Sequence, residues 1–117
     1  MKLFTQSQYQ CLVMNYERQD PVRGTPHEID FEPVVKLFNP VGAGTWLLTE
    51  LEPNEQIAFG LCDLGMQCPE LGSVSIIELE SVRLPMGLGI ERDRYWVPKK
   101  TILAYAREAW AAGRIVA

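Results

Sequence analysis

Lys36, Glu50 and Asp63 are the first residues in this 117-residue chain whose types and spacing could do chemistry. Alternation along an extended chain puts Lys36 in line with Val34 and Phe38, Glu50 with Trp46 and Leu48, and Asp63 with Ile57, Phe59 and Leu61. A charge in line with an apolar stripe either reaches water at the sheet rim or is buried with a partner, because an isolated buried charge costs several kcal/mol. Lys36 with Glu50 or Asp63 is the expected pair. A half-buried lysine beside two carboxylates would also have the perturbed proton affinities of general acid–base groups, which structural ion pairs share.

A second set is the triplet Glu91-Arg92-Asp93, which follows Gly87-Leu88-Gly89 and reads as a polar loop. If Asp63, Glu70, Glu91 and Asp93 converged, they would suit a hard cation such as Mg²⁺, with Lys36 or Arg92 opposing phosphate charge. Cys11, Cys62, Cys68 and His27 make up the inventory of a zinc site, yet five residues separate Cys62 from Cys68 and the chain has one histidine. Cys62 reads as a small core residue, and the odd number of cysteines as reduced thiols. Gly42-Ala43-Gly44-Thr45 lacks a phosphate-loop lysine and joins two strands, so it reads as a hairpin turn. Trp46, Trp96 and Trp110 read as core packing. No cofactor is expected except the Mg²⁺ of the enzyme reading.

The elements that position these residues follow from periodicity. Residues 5–19 carry Tyr9, Leu12, Val13 and Tyr16 at helical spacing, with Thr5 as N-cap and Asp20-Pro21 as the stop. Residues 34–38, 46–51 and 57–62 are β-branched and aromatic runs separated by Gly- and Pro-containing turns, which predicts a meander of three strands. Asp63-Leu64-Gly65 and Glu70-Leu71-Gly72 read as turns. Ser75-Ile76-Ile77-Glu78 fits a capping box and predicts a short helix to about residue 83. Residues 94–97 could add a strand. Thr101 opens a last helix ending at Gly113, with Ile102, Leu103, Ala106, Ala109 and Trp110 inward. The expectation is one α+β domain over residues 1–117: a mainly antiparallel sheet of three to four strands with helices packed on one face. Strand order, register and oligomeric state do not follow from the sequence.

Apolar residues make up 47% and charged residues 22%, which argues against disorder, a collagen-like repeat or a coiled coil. No apolar run approaches the ~20 residues of a membrane span, and the first eight residues turn polar before a signal-peptide core could form, so a cytoplasmic protein is expected. The net charge of −4 hides a division. Residues 28–80 carry ten carboxylates against Lys36 alone, residues 81–117 carry seven bases against three acids, and residues 1–27 sum to +1. Either the basic end packs beside the acidic middle and cancels it, or the acidic middle faces a basic partner. A pI near 5.0 disfavours direct nucleic-acid binding.

The ordered segments Asp30-Phe31-Glu32-Pro33-Val34-Val35-Lys36-Leu37-Phe38, Thr45-Trp46-Leu47-Leu48-Thr49-Glu50-Leu51, Ile57-Ala58-Phe59-Gly60-Leu61-Cys62-Asp63-Leu64-Gly65, Pro69-Glu70-Leu71-Gly72 and Glu91-Arg92-Asp93 resemble the bacterial family catalogued as domain of unknown function 2958. The resemblance covers about residues 30–106. It implies a small bacterial protein associated with plasmids, integrative elements and phages, often near antirestriction-type genes, and brings no catalytic residues with it. In that setting the expected function is an acidic protein-binding module, an inhibitor of a host defence nuclease of antirestriction or anti-CRISPR type. Its partner would be basic or nucleic-acid-binding, and Glu50, Glu52, Glu55 and Glu70 would be the contacts. The alternative is the metal-dependent enzyme acting on nucleic acid or a nucleotide.

Overall fold

The computed structural model describes residues 3–117. Met1 and Lys2 lie outside the described residues, and with them one cation of the first segment and the start of the stretch read against a signal peptide. Helix α1 (Gln6–Gln19) is opened by a capping box in which the Thr5 hydroxyl accepts from the Gln8 amide at 3.0 Å and the Gln8 side chain accepts from the Thr5 amide. A single 3₁₀ turn, Asp20–Val22, follows it. Strands β1 (Val35–Phe38), β2 (Thr45–Glu52), β3 (Ile57–Asp63) and β4 (Glu70–Ser75) form the meander. Helix α2 (Ile76–Ser81) begins where the Ser75 hydroxyl accepts from the Glu78 amide at 3.2 Å. The two-residue strand β5 (Glu91–Arg92) and helix α3 (Ile102–Ala112) complete the chain. All neighbours in the five-stranded sheet run antiparallel, in the order β4-β3-β2-β1-β5.

The α+β class holds, with more strands and a different layering than the sequence predicts. β4 falls where a turn is expected, because a strand at the sheet edge needs no apolar alternation to stay paired. Residues 94–97 form no strand; the pairing to β1 is made by the preceding Glu91 and Arg92 instead. Helices cover both faces of the sheet. α1 and α2 cover the core of Leu12, Trp46, Leu48, Ala58, Ile76 and Leu79, whereas Ile102, Tyr105, Ala106 and Ala109 of α3 pack on the other side against Leu47 and Leu61. The cause lies in the sequence of β2, where consecutive leucines 47 and 48 give each face an apolar surface that must be covered.

Helix α3 also ends differently at its start. Thr101 makes no side-chain cap; the Ile102 amide is taken by the Phe31 carbonyl at 2.8 Å and the Leu103 amide by the Asp30 carboxylate at 3.1 Å. Residues 30 and 31 thus serve as the cap from far away in sequence. Leu103 and Trp110 are 37% and 53% exposed, so they flank the buried stripe. At its end Gly113 takes the left-handed conformation (φ +76°) and closes the helix as expected.

One irregularity decides which way the polar residues point. The β2–β3 register slips between Leu48 and Glu50, so Leu48 faces Gly60 while Glu50 faces Phe59. This bulge at Thr49 moves Glu50 from the face of Trp46 and Leu48 to that of Phe59 and Leu61. Asn15 of α1 donates to the bulged Thr49 carbonyl at 2.9 Å, and the Thr49 hydroxyl donates to the Phe59 carbonyl at 3.2 Å. The chain can approach this closely only at glycine: a Cβ on Gly60 would lie 2.0 Å from the Leu47 carbonyl oxygen.

Candidate functional site

Lys36, Glu50 and Asp63 all point to the face covered by α3, and no two of them form an ion pair. Lys36, opposite Leu47 in the register, donates to the Ala117 carbonyl at 2.8 Å and lies 3.8 Å from Asp93. Asp63 is buried and accepts from two backbone amides, Gly65 on one oxygen and Ile115 on the other, each at 2.9 Å. It ties the end of β3 to the segment after α3. Glu50 is 3% exposed, and its Oε1 accepts from the Arg23 guanidinium at 2.9 Å. The expected pairing of Lys36 with Glu50 or Asp63 is therefore replaced by Lys36 with Asp93 and Arg23 with Glu50. The bulge turns Glu50 to the same face as Lys36, but three residues along β2 from Leu47, the residue opposite Lys36, where the loop after α1 brings Arg23 to it; Asp63 is taken up by backbone amides.

Arg23 is held from several sides. Its guanidinium sits 5.3 Å from the Tyr16 ring centre and 3.7 Å from Asp20. Partial burial works against its charge, but the hydrogen bond and charge of Glu50, with Asp20 adding, outweigh it and raise its pKa above the usual arginine value. No sequence pattern marks Arg23; its role appears only when the chain folds back after α1. Gln19 helps by clamping that return, donating to the Ile29 carbonyl and accepting from the Ile29 amide, both at 2.9 Å.

Of the residues named for partner contact, Glu50 is withdrawn into this pair. Glu52 accepts from the amides of Asn54 and Glu55 at 2.8 and 2.7 Å and so shapes the β2–β3 turn, where Glu55 is exposed. Glu70 is exposed at the start of β4 and accepts from the Cys68 thiol at 3.3 Å. Glu55 and Glu70 lie at opposite ends of the sheet, because β4 ends beside the β2–β3 turn, where the Ile76 amide donates to the Gln56 carbonyl.

The acid–base candidates divide in the same way. Lys36, Asp63 and Asp93 line one cleft of about 770 Å³ with Gly44, Gly65 and Arg114, at the end of the sheet where the β1–β2 turn meets the end of α3. Glu91 and Arg92 lie instead on β5, opposite Phe38 and Leu37. Among the described residues no three of His, Cys, Asp and Glu are placed to share a metal ion. Burial pushes the Cys62 thiol up to about 11, with the Glu70 charge adding, and the hydrogen bond to Glu70 raises that of Cys68. Both thiols are thereby held further from the thiolate form than an ordinary cysteine.

A second groove, of about 460 Å³, runs on the α3 face beside the sheet edge, between Arg23, Asp30, Phe59, Leu71, Ser73 and Leu103. The turn reading of residues 70–72 concealed it. Leu71 and Val74 are three residues apart and face opposite sides of β4, so no alternating stripe marks the strand; its only local signal is a short run between turn residues and the Ser75 cap, shortly after a strand. No helix among the described residues is long and apolar enough to cross a membrane.

No curated protein and no solved structure is significantly similar to this chain. A family model described as a protein of unknown function, DUF2958, matches residues 3–116, so the likeness seen over residues 30–106 extends through α1 and α3, and the chain belongs to that family.

Proposed function

We propose that this chain is a small acidic protein-binding module of mobile genetic elements. It acts on a basic, nucleic-acid-handling protein such as a host defence nuclease, offering carboxylates where that partner receives phosphates. The observation that supports the reading is the pattern of ion pairs. Among the described residues these are Arg23 with Asp20, Arg23 with Glu50, Lys36 with Asp93 and Lys100 with Glu108. None of the four joins a cation of residues 81–117 to a carboxylate of residues 28–80. Glu28, Asp30, Glu32, Glu55, Glu70 and Glu78 remain exposed. The enzyme alternative asks four carboxylates to converge, and two of them are already engaged: Asp63 by backbone amides and Asp93 by Lys36.

The test is affinity capture from the bacterial host with tagged protein, washed at low and at high salt, beside a Glu55→Lys/Glu70→Lys variant. Glu50 is left intact because it belongs to the interior. The expected result is one basic protein held at low salt, lost at high salt and missing from the variant, whose activity on DNA falls when the purified chain is added. Capture of the same proteins by both forms overturns the acidic-surface reading.

A further inference from the structure

We propose that the partner is taken up by strand addition: an extended segment, apolar at alternate positions and carrying lysine or arginine, pairs with the outer edge of β4 as a sixth strand. The inference rests on the protein-binding reading and specifies its mode.

The register shows which backbone groups are free. The Ile76 amide donates to the Gln56 carbonyl, and residues 56 and 76 continue the β3–β4 pairing, in which Ala58 faces Val74 and Gly60 faces Gly72. Hydrogen-bonded and non-hydrogen-bonded pairs alternate in an antiparallel ladder. Residues 70, 72, 74 and 76 therefore bond inward to β3, and the amides and carbonyls of Leu71 and Ser73 point out from the sheet. β4 is the terminal strand of the order, and no hydrogen bond among the described residues reaches those outward groups. Edge strands are ordinarily blunted by lysine, proline, a bulge or extreme shortness. The opposite edge, β5, has only two residues, whereas β4 has six, and Leu71-Gly72-Ser73-Val74-Ser75 carries none of these devices.

What surrounds the edge selects its occupant. Leu71 and Ser73 also line the groove of about 460 Å³, whose apolar wall includes Phe59 and Leu103 and receives alternate side chains of an added strand. Carboxylates flank it: Glu70 at the start of β4, Glu55 beside its end, and Asp30 on the groove. A second copy of this chain would bring these like charges together across a β4–β4 contact, whereas a cationic segment neutralises them.

The probe is a peptide the length of β4 that alternates lysine and valine, with its aspartate–valine counterpart as control, and the readout is amide hydrogen exchange followed by NMR. The cationic peptide is expected to slow exchange of the Leu71 and Ser73 amides by about tenfold or more, less so at high salt, and the anionic peptide to leave them unchanged. Ser73→Pro removes one outward donor while sparing the bonds to β3, and is expected to lose the peptide; the footprint on the unmodified chain decides even if that variant folds poorly. Peptide binding that slows other amides, or that survives in Ser73→Pro, overturns the edge mode while the capture experiment still supports the acidic surface. So does an absence of peptide binding. Protection of Leu71 and Ser73 that grows with protein concentration alone also overturns it, in favour of a second copy.

Discussion

Glu50 carries a charge at 3% exposure, and its ion-pair partner Arg23 reaches it from a loop whose side chain is 40% exposed. Such a pair is worth little as net stability, since both groups give up hydration, but its halves are not equivalent when removed. Arg23→Ala leaves a carboxylate in the interior with no cation and is expected to cost about 3 kcal/mol. Adding Glu50→Gln to that variant recovers part of the loss, because the neutral amide is cheaper to bury alone. Urea unfolding of the two single variants and the double variant measures the coupling. Equal stability of Arg23→Ala and the unmodified chain would mean that water reaches Glu50, and that the pair is a surface contact.

At the scale of elements, what was legible in the sequence was whatever a short local pattern specifies. The Thr5 cap, the stop after Gln19, the three runs that became β1, β2 and β3, the Ser75 cap and the Gly113 terminus all rest on residues within a few positions of one another. What escaped depends on contacts between distant residues. β4 is held by pairing to β3 more than by its own composition, β5 by two pairs with β1, and the α3 N-terminus by Asp30 and Phe31. The Thr49 bulge is of this kind, and it reversed the facing of Glu50 and with it the candidate site. Its cross-strand glycine gives the element-scale prediction. Gly60→Ala must push a methyl group against the Leu47 carbonyl and is expected to destabilise by about 1–3 kcal/mol. Gly72→Ala, where a Cβ meets open space, is expected to change little. Thermal unfolding of both compares a bulge-locked glycine with a free one, and an equal effect would show that the β2–β3 contact relaxes at small cost.

For the whole molecule, charge and layering act together. The sheet separates the core under α1 and α2 from the core under α3, and most of the basic end belongs to the chain that builds the second side. The acidic middle supplies the meander itself, so its carboxylates are distributed along strands, turns and the groove, and none of the four ion pairs among the described residues joins a cation of residues 81–117 to one of them. On the acidic-surface reading, repulsion within residues 28–80 outweighs attraction between the two segments, and both fade over a Debye length of ~10 Å or less as salt is added. The expected outcome is a melting temperature that rises with added NaCl. A chain whose basic end cancelled its acidic middle would lose favourable pairs and melt lower as salt rises. Calorimetry across a salt series, repeated on Glu55→Lys/Glu70→Lys, separates the two, because reversing two exposed carboxylates relieves the repulsion and flattens the dependence. A falling melting temperature in the unmodified chain would place the segments in mutual neutralisation and remove the charge argument for a basic partner. A rising one would leave the acidic meander and its open edge as the face on which such a partner is steered.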